Sequence, residues 1–405
     1  MADVGTQKLY LQDSYTVSFD AVLVMCEPLS GGGFRAVLDK SYFYPESGGQ
    51  LADRGCISNV DVTDVHEDHV GRVHHHVERE IEPGAVSCTV DWERRFDHMQ
   101  QHTGQHVLSR AFIEIAGMDT VSFHMGVASC TIDVEGGALA DNVVREAEEL
   151  ANSIIWENRG VKIRTVSPAE VQEPLLRKSL PEGVNEVRLV EVDGFDVIGC
   201  CGTHVRSTGE LGVLKILRYE KAKGANRVHF RVGRRALHDY SLKHDIVKLL
   251  SNRFTTSPGS LVEKVEKIHA EGQSHRKEAQ KLARKLVTFE AGSLLEKAKV
   301  HNGCKLVAEV LGDASEEHLS LLSAELKKKK GTVSILALAK GLVLCNAAGD
   351  VDIDFTEPVI ERVKSMGGSG GGKGRFAKVM LPKEVPAAGF VEEILGVIKR
   401  KVKRV

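Results

Sequence analysis

Two histidines four residues apart, His102 and His106, lie in the stretch Met99-Gln100-Gln101-His102-Thr103-Gly104-Gln105-His106-Val107-Leu108-Ser109. On a helix the i and i+4 side chains share one face, so two imidazoles at this spacing can grip one cation. Farther along, Cys200-Cys201-Gly202-Thr203-His204 offers a thiolate and a third imidazole at the same spacing, with Gly202 to permit a tight backbone path. Mixed nitrogen and sulfur donors from two separate elements are what Zn2+ prefers. His102, His106, Cys200 and His204 are therefore expected to form a metal site, with Cys201 as the alternative sulfur donor. No Glu follows the first histidine, so the general base of a zinc protease is missing. A Ser-His-Asp hydrolase is not expected either, because no nucleophile elbow is read.

The chain has 405 residues, enough for two or three domains and a large core. Its hydrophobic share, 42%, is that of a globular protein. A formal charge of −2 gives no global signature of nucleic-acid binding, and the basic run Lys399-Arg400-Lys401-Val402-Lys403-Arg404 reads first as a solvated face. Cys26, Cys56, Cys88, Cys130, Cys200, Cys201, Cys304 and Cys345 stand mostly in apolar or strand-like segments, which suits free thiols better than a disulfide framework. No secretory leader is read at the N-terminus, and no apolar run approaches the roughly 20 residues that span a bilayer. The expectation is a reducing, cytoplasmic protein with no membrane partner.

Several elements must position those ligands. Short strands at Ala21–Met25, Phe34–Leu38, Gly71–Val77 and Ala85–Val90 suggest a small barrel over residues 1–92. In the run His74-His75-His76 at most His74 and His76 share a strand face, and strand surface plus packing is the expected role. Helical spacing marks 91–118, closed by Gly117, followed by a loop from Met118 to Gly126 and a strand from Cys130 to Val134. A helix over Asp141–Asn158 and strands at Val161–Val166, Asn185–Val192, Gly212–Leu217 and Asn226–Gly233 complete an α+β core over 93–234. Residues 235–300 read as a helical hairpin or short coiled coil, with Leu261, Val265, Ile268, Ala279, Leu282, Leu286 and Phe289 at 3,4 spacing. Residues 301–405 read as an α/β unit around the glycine-rich loop Gly367-Gly368-Ser369-Gly370-Gly371-Gly372-Lys373-Gly374-Arg375.

Three segments occur in a fixed order: Phe43-Tyr44-Pro45-Glu46-Ser47-Gly48-Gly49-Gln50, His102-Thr103-Gly104-Gln105-His106-Val107-Leu108-Ser109 and Cys200-Cys201-Gly202-Thr203-His204-Val205. They resemble the editing domain of alanyl-tRNA synthetase and of its free-standing relatives, the AlaX proteins. The glycine-rich tail resembles the C-terminal domain of the same synthetase, so the whole chain looks like a long-form AlaX. The resemblance implies an α+β zinc-containing editing core behind the barrel, a helical linker and a C-terminal domain that contacts tRNA through Lys373 and Arg375. It implies a hydrolase that removes serine, and glycine as a second substrate, from mischarged tRNA(Ala) in the service of translation fidelity. One Zn2+ per chain would be held by His102, His106, Cys200 and His204, which form the catalytic centre. The family motif has glycine where this chain has Cys201. Either one ligand yields to water or substrate, or the metal mainly positions the ester. Gln105, Thr120 and Ser122 are candidates to read the serine hydroxyl, ahead of Thr131, and Gly49, Gln50 and Thr203 are expected to line the same cleft. A homodimer through the linker or the C-terminal domain is a further expectation. The rival reading is a catalytically idle RNA- or partner-binding protein. A phosphoesterase with a similar tail would need an Asp-His-His motif, which is not read here.

Overall fold

Between residues 18 and 90 six strands close on themselves, which buries their apolar residues inside and removes the sheet edges. The strands are β1 (Ser18–Pro28), β2 (Phe34–Leu38), β3 (Gly55–Ile57), β4 (Val60–Glu67), β5 (Val73–Val77) and β6 (Gly84–Val90), in the order β1-β2-β5-β4-β3-β6. In β6 the buried positions are Val86, Cys88 and Val90 with exposed residues between them, and they pack with Leu23, Leu38, Val62 and Val73 into the barrel core. This is a computed structural model, and it describes residues 5–167, 176–177, 185–222 and 224–404. The first residues of the chain, on which the reading of no leader rests, lie outside them.

The histidine run resolves into three roles. His74 Nε2 lies 2.8 Å from Asp68 Oδ2, and His76 stands by Asp64 and His66 in a solvent-facing group, so His74 and His76 do not converge. His75 points inward and is fully buried. Its Nδ1 donates to the Ala36 carbonyl (3.2 Å), and its Nε2 accepts from the Ser41 hydroxyl (2.9 Å), which itself accepts from the Phe43 amide (3.0 Å). That network needs a neutral ring, and burial lowers the pKa from 6.5 to about 4. Folding stability from this group is therefore full above pH 6.5 and is lost as pH falls toward 4, by about 3 kcal/mol. Urea unfolding of the wild type and of His75→Gln should show their stability difference shrinking by that amount between pH 7 and pH 4; an unchanged difference would refute the assignment.

Behind the barrel runs α1 (Trp92–Ala116), started by Asp91, whose carboxylate caps the Arg94 amide, and ended at Gly117. It packs on α2 (Asp141–Trp156) and on a four-stranded sheet of β7 (Thr120–Met125), β8 (Cys130–Val134), β12 (Leu214–Ala222) and β13 (Ala225–Val232), ordered β12-β13-β8-β7. The expected loop from Met118 to Gly126 is thus mostly strand. Ser122 and His124 hide it from pattern reading, since both are exposed, while pairing with β8 supplies its hydrogen bonds. A second sheet, β9 (Val161–Val166), β10 (Val187–Val192) and β11 (Asp196–Gly199), delivers the chain to Cys200. No disulfide joins the described cysteines.

The chain divides into two compact units, Met1–Leu250 and Ser251–Val405. Helix α3 (Gly233–Phe254) follows β13, and α4 (Leu261–Lys297) belongs to the second unit. On α4, Val265, Ile268, Leu282, Leu286 and Phe289 are exposed along one heptad seam, interrupted at Gly272 and His275. The second unit holds β14 (Lys299–His301), β15 (Cys304–Leu311), α5 (Glu316–Lys327), β16 (Thr332–Leu338), β17 (Leu342–Ala347), β18 (Ser369–Lys373), β19 (Phe376–Met380) and α6 (Ala387–Lys401). Its sheet runs β14-β15-β16-β17-β19-β18. One face packs against Leu319, Leu322 and Val287, the other against Phe390, Ile394 and Ile398.

The glycine-rich segment, expected as a loop, is largely the edge strand β18, antiparallel to β19. At Gly370 a side chain would come within 2.5 Å of the Lys378 carbonyl, so only glycine lets the two backbones approach. Gly367-Gly368-Ser369-Gly370-Gly371 does spell the Gly-x-Ser-x-Gly of a nucleophile elbow, contrary to the sequence reading. Ser369 nevertheless begins an exposed strand instead of turning from strand to helix, so it is no elbow. No described helix is long and apolar enough to cross a membrane.

Candidate metal centre

Helix α1 is unusual in being buried almost all round from His98 to Ser109 although most of that stretch is polar. Burial of polar groups requires partners, and the neighbours supply them. Gln100 donates to the Glu210 carbonyl (2.7 Å), and Gln101 both donates to the Val232 carbonyl (2.9 Å) and accepts from its amide (3.0 Å). This wrapping presents His102 and His106 on one face toward the Cys200–His204 loop.

The four donor atoms of His102, His106, Cys200 and His204 lie within 4.8 Å of one another. Cys200 Sγ is 3.4 Å from His102 Nε2 and 3.3 Å from His204 Nε2. Metal–ligand lengths of 2.0–2.3 Å at tetrahedral angles imply a nitrogen–sulfur separation of about 3.5 Å, so the donors fit a zinc-sized ion. Cys201 is exposed and stands outside the group. The reverse sides of two rings are fixed: His102 Nδ1 lies 2.7 Å from Gln50 Oε1, and His204 Nδ1 lies 3.0 Å from Thr103 Oγ1. With Nδ1 so engaged, each ring turns its Nε2 toward Cys200 Sγ, the side on which a shared cation would sit. His106 Nδ1 is buried without a partner among the described residues. At Gly202 a side chain would meet His102 Cε1 at 2.1 Å, which is why the loop can close here only with glycine.

Burial dominates the electrostatics. It lowers His102 to about 3 and holds His106 and His204 well below the ordinary imidazole value, with neighbouring histidines or arginines adding to it. It raises the Cys200 thiol to about 11. The imidazoles are thus neutral and ready to donate, and cation binding must expel the thiol proton. This buried group could hold a metal ion.

The group borders a cavity of about 260 Å³ that is lined from the barrel by Tyr44, Ser47 and Gly48, and from β7 by Thr120, Ser122 and Phe123. Of the candidate substrate residues, Gln105, Thr120 and Ser122 line it. Gln105 Nε2 and Thr120 Oγ1 both donate to Ser109 Oγ, at 2.8 and 2.7 Å. Gly49, Gln50 and Thr203 are not among the residues that line the cavity. Gly49 accepts from the Met125 amide, joining the barrel loop to β7. Gln50 and Thr203 are fully buried and bonded to each other, Gln50 Nε2 to Thr203 Oγ1 at 2.8 Å and the Thr203 amide to Gln50 Oε1 at 3.1 Å. Gln50→Ala should therefore weaken metal affinity about 10- to 100-fold; competition against a chromophoric chelator measures it, and wild-type affinity would refute the supporting role.

Sequence reading missed Thr103, Ser109, Arg177 and Arg188. Thr103 and Ser109 lie within the quoted motif and were open to inspection. Arg188, whose Nη1 donates to the Cys200 carbonyl at 2.6 Å, and Arg177, on the cavity wall, carry no local signal.

Residues 187–229, which include the Cys200–His204 loop, match the threonyl and alanyl tRNA synthetase second additional domain. The chain is 32% identical to the alanine–tRNA ligase of Ignicoccus hospitalis, over 94% of this chain but 42% of the ligase. It thus spans less than half the length of such ligases. It is 29% identical to the alanyl-tRNA editing protein AlaX-L of Pyrococcus horikoshii, over 92% of this chain and 94% of that protein. With the alanyl-tRNA editing protein Aarsd1 of Mus musculus it shares 30% identity over 90% of this chain and 92% of the mouse protein. Nearly full mutual coverage, with the ligand loop inside the matched domain, shows that the chain belongs to the family of free-standing alanyl-tRNA editing proteins.

Proposed function

We propose that the protein is a zinc-dependent aminoacyl-tRNA deacylase that acts in trans on tRNA(Ala) mischarged with serine, and with glycine as a second substrate. The observation that carries this reading is the buried three-histidine, one-cysteine group bordering a small cavity. The names of its relatives support the substrate class. One Zn2+ held by His102, His106, Cys200 and His204 supplies Lewis-acid polarisation or an acidified water. An aminoacyl ester is already activated, so the protein's task is to align ester, water and terminal ribose. Gln105, Thr120 and Ser122 offer hydrogen-bonding atoms on the cavity wall to a serine hydroxyl, and alanine would leave that polar wall unmatched. Such a site can discriminate by up to about 10⁴-fold.

The test is deacylation of Ser-, Gly- and Ala-tRNA(Ala) with and without chelator. Serine should be released in a chelator-sensitive reaction and alanine spared. Release no faster than the protein-free blank, or equal release of alanine, would sink the reading.

The second unit is proposed to hold the tRNA. Lys373 lies at the exposed end of β18, opposite Phe376 of β19, with Lys378 on the same strand. Lysines beside exposed glycine backbone suit phosphate. Arg375 is less free, since its Nε donates to the Val351 carbonyl at 2.7 Å. Lys373→Glu should raise KM on full tRNA more than on a minimal aminoacyl stem; an equal effect on both would reject the tail's role. The exposed seam of α4 is proposed to pair two copies, and sedimentation equilibrium of the full chain showing only monomer at micromolar concentration would reject that pairing.

A further inference from the structure

Arg177 is a buried cation on the wall of the metal-side cavity whose Nε and Nη2 form no aligned hydrogen bond among the described residues. Its side chain is 3% exposed, and Nε stands 2.9 Å from Oδ1 of Asp196, which is 1% exposed. That pair is ionic but not aligned as a hydrogen bond, and among the described residues Arg177 Nη2 and both Asp196 oxygens are buried without a hydrogen-bond partner. The backbone is better anchored, with the Arg177 amide donating to the Val197 carbonyl at 3.0 Å. Val197 belongs to β11, and the residues that follow it, Ile198 and Gly199 on the strand and Cys200 just past its end, line the same cavity as Arg177, His102 and His106. The carboxylate that holds Arg177 therefore lies on β11, and the sulfur of the ligand group follows directly after the strand's last residue.

A buried guanidinium left short of partners is costly unless something completes it. We propose that what completes it is the carbonyl oxygen of the substrate ester, so that Arg177 is a catalytic residue that stabilises the oxyanion. This rests on the deacylase reading above. In the reaction the water oxygen bonds to the ester carbonyl carbon, and the carbonyl π pair moves onto its oxygen, where Arg177 donates to it. On collapse that pair re-forms the double bond and the bond from the carbonyl carbon to the ribose oxygen breaks. One proton of the water ends on the ribose oxygen, and the other leaves as the amino-acid carboxyl ionises. Confinement favours this oxygen over a backbone phosphate. A polynucleotide phosphate cannot reach a 3% exposed side chain, whereas the terminal ester can enter a cavity of about 260 Å³. The charge of Arg177 is also felt at His102 and His106, which places it by the metal group.

The test is Arg177→Ala and Arg177→Lys in the full-length, zinc-loaded protein, assayed on Ser-tRNA(Ala). For Arg177→Ala, kcat should fall about 10²- to 10³-fold, with KM and bound zinc near wild type. Methylguanidinium should restore part of the rate where sodium chloride at equal ionic strength does not. A raised KM with kcat intact, zinc lost in step with activity, or unchanged kinetics would each overturn the proposal. If the alanine variant does not fold, the lysine variant decides, since it keeps the charge beside Asp196 but loses the planar fork: a wild-type kcat there overturns the proposal and a lowered one supports it. A wild-type protein inactive on Ser-tRNA(Ala) would instead sink the deacylase reading itself.

Discussion

Replacing His106 with alanine is expected to take serine release from Ser-tRNA(Ala) to the protein-free blank and to strip most of the bound zinc. The ring is one of four donors confined within 4.8 Å, and its three neighbours cannot make good the loss. Cys201 is exposed outside the group, and the Gly202 position is pressed against His102 with no room to shift. The remaining imidazoles are neutral from burial and the thiol is held protonated, so a three-donor remnant has little charge with which to retain a dication. Global folding should survive, because His106 supports none of the barrel's own hydrogen bonds. Metal analysis, circular dichroism and the deacylation assay on one preparation settle it. Full zinc and rate would remove His106 from the site.

Arg95→Met is the second substitution with a large expected effect, here on stability. Arg95 and Asp53 are both fully buried, and the guanidinium joins α1 to the barrel. Its Nε donates to both Asp53 oxygens (3.1 and 3.0 Å), Nη1 to the Ser14 carbonyl (2.8 Å) and Nη2 to the Tyr42 carbonyl (2.5 Å), and Nη2 also bonds Asp53. Removing one partner leaves a carboxylate buried without its counter-charge, which costs about 3–5 kcal/mol. Activity should fall with it, since Asp53 Oδ2 also accepts the Tyr44 amide at 2.7 Å. That bond holds the loop of Tyr44, Ser47 and Gly48 that lines the cavity. Urea unfolding measures the loss, and the double variant Arg95→Met, Asp53→Leu should recover much of it. A single variant within about 1 kcal/mol of wild type would refute the account.

The ligands were legible because their signal is local. His102 and His106 share a face through helical geometry alone, and Cys200 and His204 repeat the spacing in a loop that only Gly202 allows to close. The barrel was legible in the same way, through strands whose apolar residues alternate, as in Val86, Cys88 and Val90. Reading failed where a neighbour supplies the order. Thr120–Met125 looks like a loop because its exposed residues, Val121, Ser122 and His124, do not alternate with its buried ones, and its hydrogen bonds come from Cys130–Val134. The glycine-rich segment looks like a loop for the same reason, although β19 draws most of it into a sheet edge. Gln50 looks like a cleft residue, yet 52 positions farther on lies the imidazole that its carbonyl orients.

By itself the sequence determined which atoms can bind a metal, which segments alternate as strands, and which family the ordered motifs resemble, since these depend on residue type and short-range period. Only the tertiary structure decided that Cys200 and not Cys201 joins the three rings, that Gln50 and Thr103 aim them, and that Arg177 stands on the cavity wall. Each of those outcomes is a contact between residues far apart in the chain, fixed by how barrel, helix and sheets close around α1, and no local pattern encodes it.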